Sequence, residues 1–267
     1  MMSFDPVSLS WLLPPPDDFR ERVKTLAGSA TVSGMELRRL AEHALDINQS
    51  TSLARAIAKQ RTRIETGGGL DIVRIAYLGN GTTDFVQAVI VAGALRHGVL
   101  ADVYTPAFGQ ALAETLDPGS ALATHRADVA LIALDHRGHG LTLPTVDAAA
   151  GREAVRRAEA QLTLMIDRLA ETGAQIILQT APQPYEPWAG HADAGLGGSV
   201  RAQVAALNER IRQLAVERSC IVFDAEALAA QVGTARWFNP RLWNQAKVPF
   251  DLEIAPLYGD HIGRLLG

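Results

Sequence analysis

From residue 71 onward the chain alternates short, continuous apolar runs with longer stretches of helical periodicity. Residues 73–78 (VRIAYL) read as a strand, 84–97 as a helix stopped by Gly98, and 99–104 as a second strand. Residues 128–134 (DVALIAL) form a third run, apolar enough to be buried on both faces of a sheet. A clear amphipathic helix spans 151–171. Its Val155, Ala158, Leu162, Met165 and Leu169 follow a 3.6-residue repeat, and Gly173 suits the position just past its end. Residues 175–178 are a fourth strand. Val200, Val204, Leu207, Ile211 and Leu214 mark another helix, and residues 220–223 a fifth strand. Strand and helix alternating in this way predict βαβ units. The expected fold class is α/β: a doubly wound, flavodoxin-like parallel sheet of about five strands with helices on both faces.

The first part of the chain has a different rhythm. Residues 1–32 carry a proline run, Pro14-Pro15-Pro16, and few periodic apolar positions, so they read as irregular. Met35, Leu37, Leu40, Ala41 and Leu45 then follow helical spacing behind Ser33, a suitable N-cap. Leu53, Ile57 and Ile64 suggest a second helix. Gly67-Gly68-Gly69 breaks the pattern and reads as a joint. The expected division is a helical N-terminal extension over residues 1–69 and the α/β domain over 70–267.

Composition narrows the function classes. The chain has 267 residues, a net charge of −4 and 48% hydrophobic residues, ordinary values for a globular protein. No basic footprint points to nucleic acid. No apolar stretch approaches the ~18 residues of a membrane span, and the N-terminus lacks the pattern of a signal peptide. The single cysteine, Cys220, fits a reducing, cytoplasmic setting, and its place in an apolar run suggests a core residue.

In open parallel sheets, ligands bind beyond the carboxyl ends of the strands. That rule nominates the turn Gly79-Asn80-Gly81-Thr82-Thr83, residues 105–110 with Gln110, the loop Asp135-His136-Arg137-Gly138-His139, and the segment from Gln179 onward. The first turn would aim backbone amides and hydroxyls at an anion or a developing oxyanion at a helix start. Its simpler reading is a tight turn with Thr83 as N-cap. It is not a dinucleotide fingerprint, because Asp84 stands in place of the third glycine. It is not a P-loop, and no GxSxG elbow occurs. The loop at 135–139 gathers a carboxylate, a guanidinium and two imidazoles, suited to orienting a substrate or moving a proton; Asp135 as a local cap is the alternative. No metal-ligand spacing is present, and neither a metal nor another cofactor is expected. Residues 179–199 form a long irregular stretch whose Tyr185 and Trp188 suggest a lid. Residues 236–247 (RWFNPRLWNQAK) concentrate aromatics and cations, with Lys247 able to meet an anion. The alternative is a packed corner with a snorkelling lysine. Asp260-His261 resembles an acid–base pair, but on a terminal helix it reads first as a solvated face.

Five segments in order, VRIAYLGNGTTDF, DVYTPAFGQALAETLDPGSAL, ADVALIALDHR, IILQTAPQP and WFNPRLWNQAKVPF, resemble the N-terminal SGNH-like domain of the FkbH family. The resemblance covers roughly residues 35–262. It implies an SGNH-like (GDSL-hydrolase-like) fold and a place in natural-product, polyketide-type biosynthesis. FkbH-type proteins take a three-carbon unit from 1,3-bisphosphoglycerate, remove phosphate and deliver a glyceryl group to an acyl carrier protein. The phosphatase chemistry belongs to a following haloacid-dehalogenase-like (HAD-like) domain with a DxDxT motif, which this sequence does not contain. The partners implied are therefore an acyl carrier protein and a HAD-like phosphatase domain. The sequence departs from the SGNH pattern at the nucleophile. Asn80 and Gly81 stand where aspartate and serine would be, and no DxxH motif lies near the C-terminus. Thr82 is the nearest hydroxyl. Thr82 and Asp135 are thus the candidate catalytic residues. Gly79, Asn80, Gly81, Thr83, Gln110, Arg137, Gln179, Trp243 and Lys247 are the candidate substrate-binding residues. Three functions stay open: acyl or glyceryl transfer, non-catalytic recognition of a carrier protein or ligand, and general SGNH-type ester hydrolysis, the last requiring a nucleophile–base pair that the sequence does not name.

Overall fold

The computed structural model describes residues 5–267. Its regular elements begin with helices α1 (Phe19–Gly28), α2 (Gly34–Ala41) and α3 (Ile47–Gly67), followed by β1 (Asp71–Gly79), α4 (Asp84–Arg96) and β2 (Val99–Tyr104). Next come α5 (Ala111–Leu116), α6 (Ala121–His125), β3 (Val129–Ala133), α7 (Ala148–Ala170), β4 (Gln175–Gln179) and α8 (Val200–Glu217). The chain closes with β5 (Ile221–Phe223), α9 (Ala225–Val232), α10 (Thr234–Trp237), α11 (Pro240–Ala246) and α12 (Ala255–Leu266). The strands form one five-stranded sheet in the order β2-β1-β3-β4-β5, with β1–β3, β3–β4 and β4–β5 parallel. The α/β expectation therefore holds.

The chain divides into two compact units. One comprises the described residues up to 74 together with 83–103 and 250–267, and the other comprises 75–82 and 104–249. In the first unit, local capping defines the helices. Ser33 and Glu36 form a capping box on α2, and Asp46 and Gln49 form one on α3. Phe19, Val23, Leu37, Leu40, Leu53 and Ile57 pack with Ala92 and Leu95 of α4 and Leu100 of β2. Residues 19–28 are helical, which corrects the irregular reading of the first 32 residues. Phe19 and Val23 are the buried pair, one turn apart, and a single such pair is too short a repeat to show as a pattern.

Helices α4 and α12 cross at glycines. A Cβ on Gly93 would stand 2.1 Å from the carbonyl oxygen of Gly259, and one on Gly263 would stand 2.4 Å from the Gly93 carbonyl carbon. Beside this crossing Asp260 is 1% exposed. It accepts a hydrogen bond from Arg96 and one of 2.9 Å from Arg264 Nε, and His97 Nε2 lies 3.5 Å away. Burial opposes its charge, but Arg96 and Arg264 outweigh burial and hold the carboxyl below its usual range. The solvated-face reading of Asp260-His261 is thus corrected: the carboxylate is a buried ion-pair centre. Burial, followed by Arg264, also lowers the His261 imidazole.

In the second unit, alternate strand residues Ala76, Leu78, Ala130, Ile132, Ile176 and Leu178 pack against Val155, Leu162 and Met165 of α7 and Val204, Leu207 and Ile211 of α8. The intervening Ile75, Tyr77, Leu131 and Ile177 are equally buried, as the continuous apolar runs predicted. Cys220 is half-buried at the edge of this core, and burial pushes its thiol up.

The close crossing gives a direct expectation. Gly93→Ala should destabilise the protein by about 3 kcal/mol, because the clash is with backbone that cannot rotate away. The urea midpoint measures this, and an unchanged midpoint would contradict the crossing.

Candidate functional site

The strand order changes direction between β1 and β3, which are neighbours in the sheet. This is the switch point at which open α/β sheets form their ligand crevice. Gly79, the last residue of β1, pairs with Ala133, the last of β3. Asn80, one residue beyond Gly79, and Asp135, two beyond Ala133, are therefore brought together by register although they lie 55 positions apart in sequence.

They form a reciprocal pair. Asn80 Nδ2 donates to Asp135 Oδ1 at 2.8 Å, and the Asp135 amide donates to Asn80 Oδ1 at 2.9 Å. Asp135 Oδ1 also accepts from the amides of Arg137 (2.8 Å) and Gly138 (3.2 Å), which folds the loop back on its own carboxylate. Gly138 is required here, since a Cβ would fall 2.6 Å from Asn80 Cγ. Asp135 Oδ2 faces Arg137 Nη1 at 3.3 Å.

Arg137 is sandwiched chemically between carboxylate and aromatics. Its guanidinium carbon lies 3.7 Å from the Trp243 ring centroid and 5.6 Å from that of Phe238. Lys247 Nζ lies 5.4 Å from the same Trp243 ring. Two cations thus share one indole, with Asp135 as the carboxylate paired to Arg137. His136 is buried with its ring edge-on to Phe238 at 6.1 Å. Burial lowers the His136 imidazole and pushes His139 down to about 4, with Asp135 opposing both shifts. Both rings are neutral at pH 7.

The turn after β1 is closed by the segment after α11. The Thr82 amide donates to Lys247 O at 2.9 Å, and Thr82 Oγ1 donates to Ala246 O at 2.6 Å. Among the described residues, no carboxylate or imidazole is a hydrogen-bond partner of that hydroxyl. A Cβ on Gly81 would stand 2.7 Å from Lys247 O and 2.9 Å from the Pro249 ring. The position that a serine would occupy in the SGNH pattern has no room for a side chain.

The other candidates fall elsewhere. Thr83 is buried at the N-cap position of α4, as its residue type suggested, but makes no side-chain capping bond; its carbonyl accepts from Val86 N. Gln110 is exposed ahead of α5 and makes no hydrogen bond to the 135–139 loop. Gln179 is buried in β4, in register with Phe223. In the 179–199 segment, Tyr185 and Trp188 are exposed, and the Asp193 carboxylate collects the amides of Trp188 and Ala189. Residues 190–195 form a short 3-10 helix within this stretch. The sequence reading missed Asn208. It lies on the buried face of α8, where its amide exchanges two 2.8 Å hydrogen bonds with the Ala181 backbone and shapes the end of β4. An asparagine adjoining Leu207 on an otherwise apolar stripe was the available signal. Among the described residues, no group of three or more His, Cys, Asp or Glu is arranged to hold a metal ion, and no helix is long and apolar enough to cross a membrane.

No family model matches this sequence, and no curated protein matches it. Solved structures do. The fold is similar to the N-terminal part of the protein BF1531 from Bacteroides fragilis, which contains a phosphatase domain and was crystallised with Mg. The TM-score is 0.64 at 13% identity, over 86% of this chain and 55% of that one. The present chain thus spans about half the length of that relative. Weaker likenesses, each with a TM-score of 0.49, connect it to a lipase/acylhydrolase from Enterococcus faecalis (13% identity, 73% of this chain and 95% of that one) and to a catalytic mutant of an acetylxylan esterase from Geobacillus stearothermophilus (14% identity, 75% and 97%).

The buried histidine makes stability depend on pH. His139 titrates near 4 when folded and near 6.5 when unfolded, so the unfolded chain binds more protons between these values. The stability from keeping His139 neutral is complete above pH 6.5 and is lost as pH falls towards 4, about 2 kcal/mol of it by pH 5. Urea midpoints at pH 7 and pH 5 should fall less in His139→Gln than in wild type; equal falls would contradict this assignment.

Proposed function

We propose that this chain is an SGNH-like module of an FkbH-type biosynthetic system, and that it recognises the glyceryl or related acyl unit bound for an acyl carrier protein without forming a covalent bond to it. The observation that carries this reading is the packing at Gly81. Lys247 O and Pro249 fill the space a nucleophilic side chain would need, while Thr82 spends its proton on Ala246 O. Acyl transfer through a hydroxyl requires a base positioned to take that proton.

The groups at this edge suit binding. Arg137 supplies a planar cation, Lys247 an exposed one and Trp243 an apolar face between them, a combination matched to an anionic group on a short carbon chain. The ordered FkbH-like segments support the biosynthetic context. The likeness of fold to a protein part containing a phosphatase domain supports a phosphatase as the working partner, acting on the same unit before or after it is held here.

Binding of glyceryl-loaded carrier protein, followed by calorimetry and by intact mass, separates recognition from catalysis. Lys247→Ala should weaken binding about tenfold, as expected for loss of one exposed charge contact, and wild-type protein should gain no acyl mass. A wild-type acyl adduct that disappears in Thr82→Ala would replace this reading with covalent transfer.

A further inference from the structure

Helix α11 differs from its neighbours in having no buried residue. It is bracketed by two buried anchors, Phe238 before it and Val248 after it. Both junctions leave helical geometry, and Asn239 caps Leu242 N at the first of them. Asn239 is extended at φ −120°, and Lys247 sits in the left-handed region at φ +54°, an uncommon conformation for a residue with a side chain. Between the anchors, the contacts that fasten α11 and Lys247 include the two hydrogen bonds from Thr82 to Ala246 O and Lys247 O, and the Trp243 ring on Arg137.

The loop that Trp243 covers is short of partners. His136 Nδ1 and His139 Nδ1 are buried with no hydrogen-bond partner among the described residues, and Asp135 Oδ2 and Arg137 Nη1, also buried, have their 3.3 Å ion pair but no well-aligned hydrogen bond. Asp135 Oδ1 is saturated by three donors, whereas Oδ2 has only the Arg137 guanidinium at 3.3 Å and can accept more. Buried polar atoms are almost always satisfied in folded proteins, and each orphan costs about 1–3 kcal/mol. Two partnerless imidazole nitrogens beside one loosely aligned buried ion pair, within five consecutive residues, point to a place where a ligand supplies the missing bonds.

We infer that Asp135, His136, Arg137 and His139 form a covered polar site, that α11 is its hinged lid, and that Thr82 is the latch. The site would take a small group that offers an anion to Arg137 and a hydrogen-bond donor to Asp135 Oδ2. This role for Thr82 uses the hydroxyl as a donor to the end of α11, which is the bond it makes. The inference rests on the reading of the Arg137 edge as ligand-facing, and it adds the gate that controls access to it.

Thr82→Val removes the hydroxyl donor while keeping shape and the backbone bond. Amide hydrogen exchange across residues 239–247 should accelerate about tenfold in this variant, the loss expected for one hydrogen bond, while exchange in β3 and β4 stays as in wild type. Phenylglyoxal, which modifies accessible arginines, should react with Arg137 several-fold faster than in wild type. The exposed Arg152 and Arg201 should be unaffected. Unchanged exchange in α11 and unchanged Arg137 reactivity would overturn the lid. Trp243→Ala is the second variant: it uncovers Arg137 without touching a hydrogen bond, so it should raise Arg137 reactivity at a near-constant thermal midpoint. A large fall in that midpoint would make α11 a structural element and overturn the inference. These measurements need no ligand. An immobile α11 therefore sinks the lid alone, whereas a mobile α11 with no affinity for glyceryl-loaded carrier protein sinks the recognition reading alone.

Discussion

The reciprocal hydrogen bonds between Asn80 and Asp135 are the constraint on which the candidate site depends. Each strand end alone leaves its backbone and side-chain polar groups without partners. Joined, they tie the exit of β1 to the exit of β3 at the point where the sheet changes direction. The rest of the loop follows from this pair. With Asp135 Oδ1 committed to Asn80, the amides of Arg137 and Gly138 turn back to the same oxygen, and the Arg137 side chain is directed against Trp243. Gly138 is small because the Asn80 side chain occupies the space beside it.

A second constraint comes from the chain returning after α11. Its carbonyls at Ala246 and Lys247 are fastened to Thr82 and lie over Gly81. The turn that in an SGNH pattern would present a nucleophile is instead an attachment point. A hydroxyl that donates to a carbonyl and a glycine with no free space describe one physical situation: this edge is built to be covered. Buried, neutral imidazoles beneath the cover are consistent with a site whose polar groups are kept from water until something replaces it.

The two units differ in how they are held. The first depends on the glycine-lined crossing of α4 and α12 and on a buried carboxylate shared between Arg96 and Arg264. The second depends on a sheet buried on both faces and on asparagines, Asn80 and Asn208, that satisfy strand-end backbone. Buried ion pairs and buried amides both lose heavily when one partner is removed, so each region is sensitive to single polar substitutions.

By itself the sequence determined what depends on neighbours along the chain. The apolar runs at β1, β3 and β4, the 3.6-residue stripes of α7 and α8, and the N-cap at Ser33 all arise from local periodicity and local hydrogen bonding, and they are legible for that reason. So is the concentration of polar chemistry in 135–139 and of cations and aromatics in 236–247. Tertiary structure decided which of these groups meet. Asn80 finds Asp135 only through the register of β1 on β3. Arg137 meets Trp243 only through the return of the chain at α11, more than a hundred positions on. Asp260 becomes a buried ion-pair centre only because glycines let α12 approach α4. Contacts between residues more than fifty positions apart leave no periodic trace, since they are selected by packing and register and not by propensity. The turn Gly79–Thr83 could therefore be singled out from its residues, but its fastening to the segment at Ala246 and Lys247 is a property of the folded chain alone.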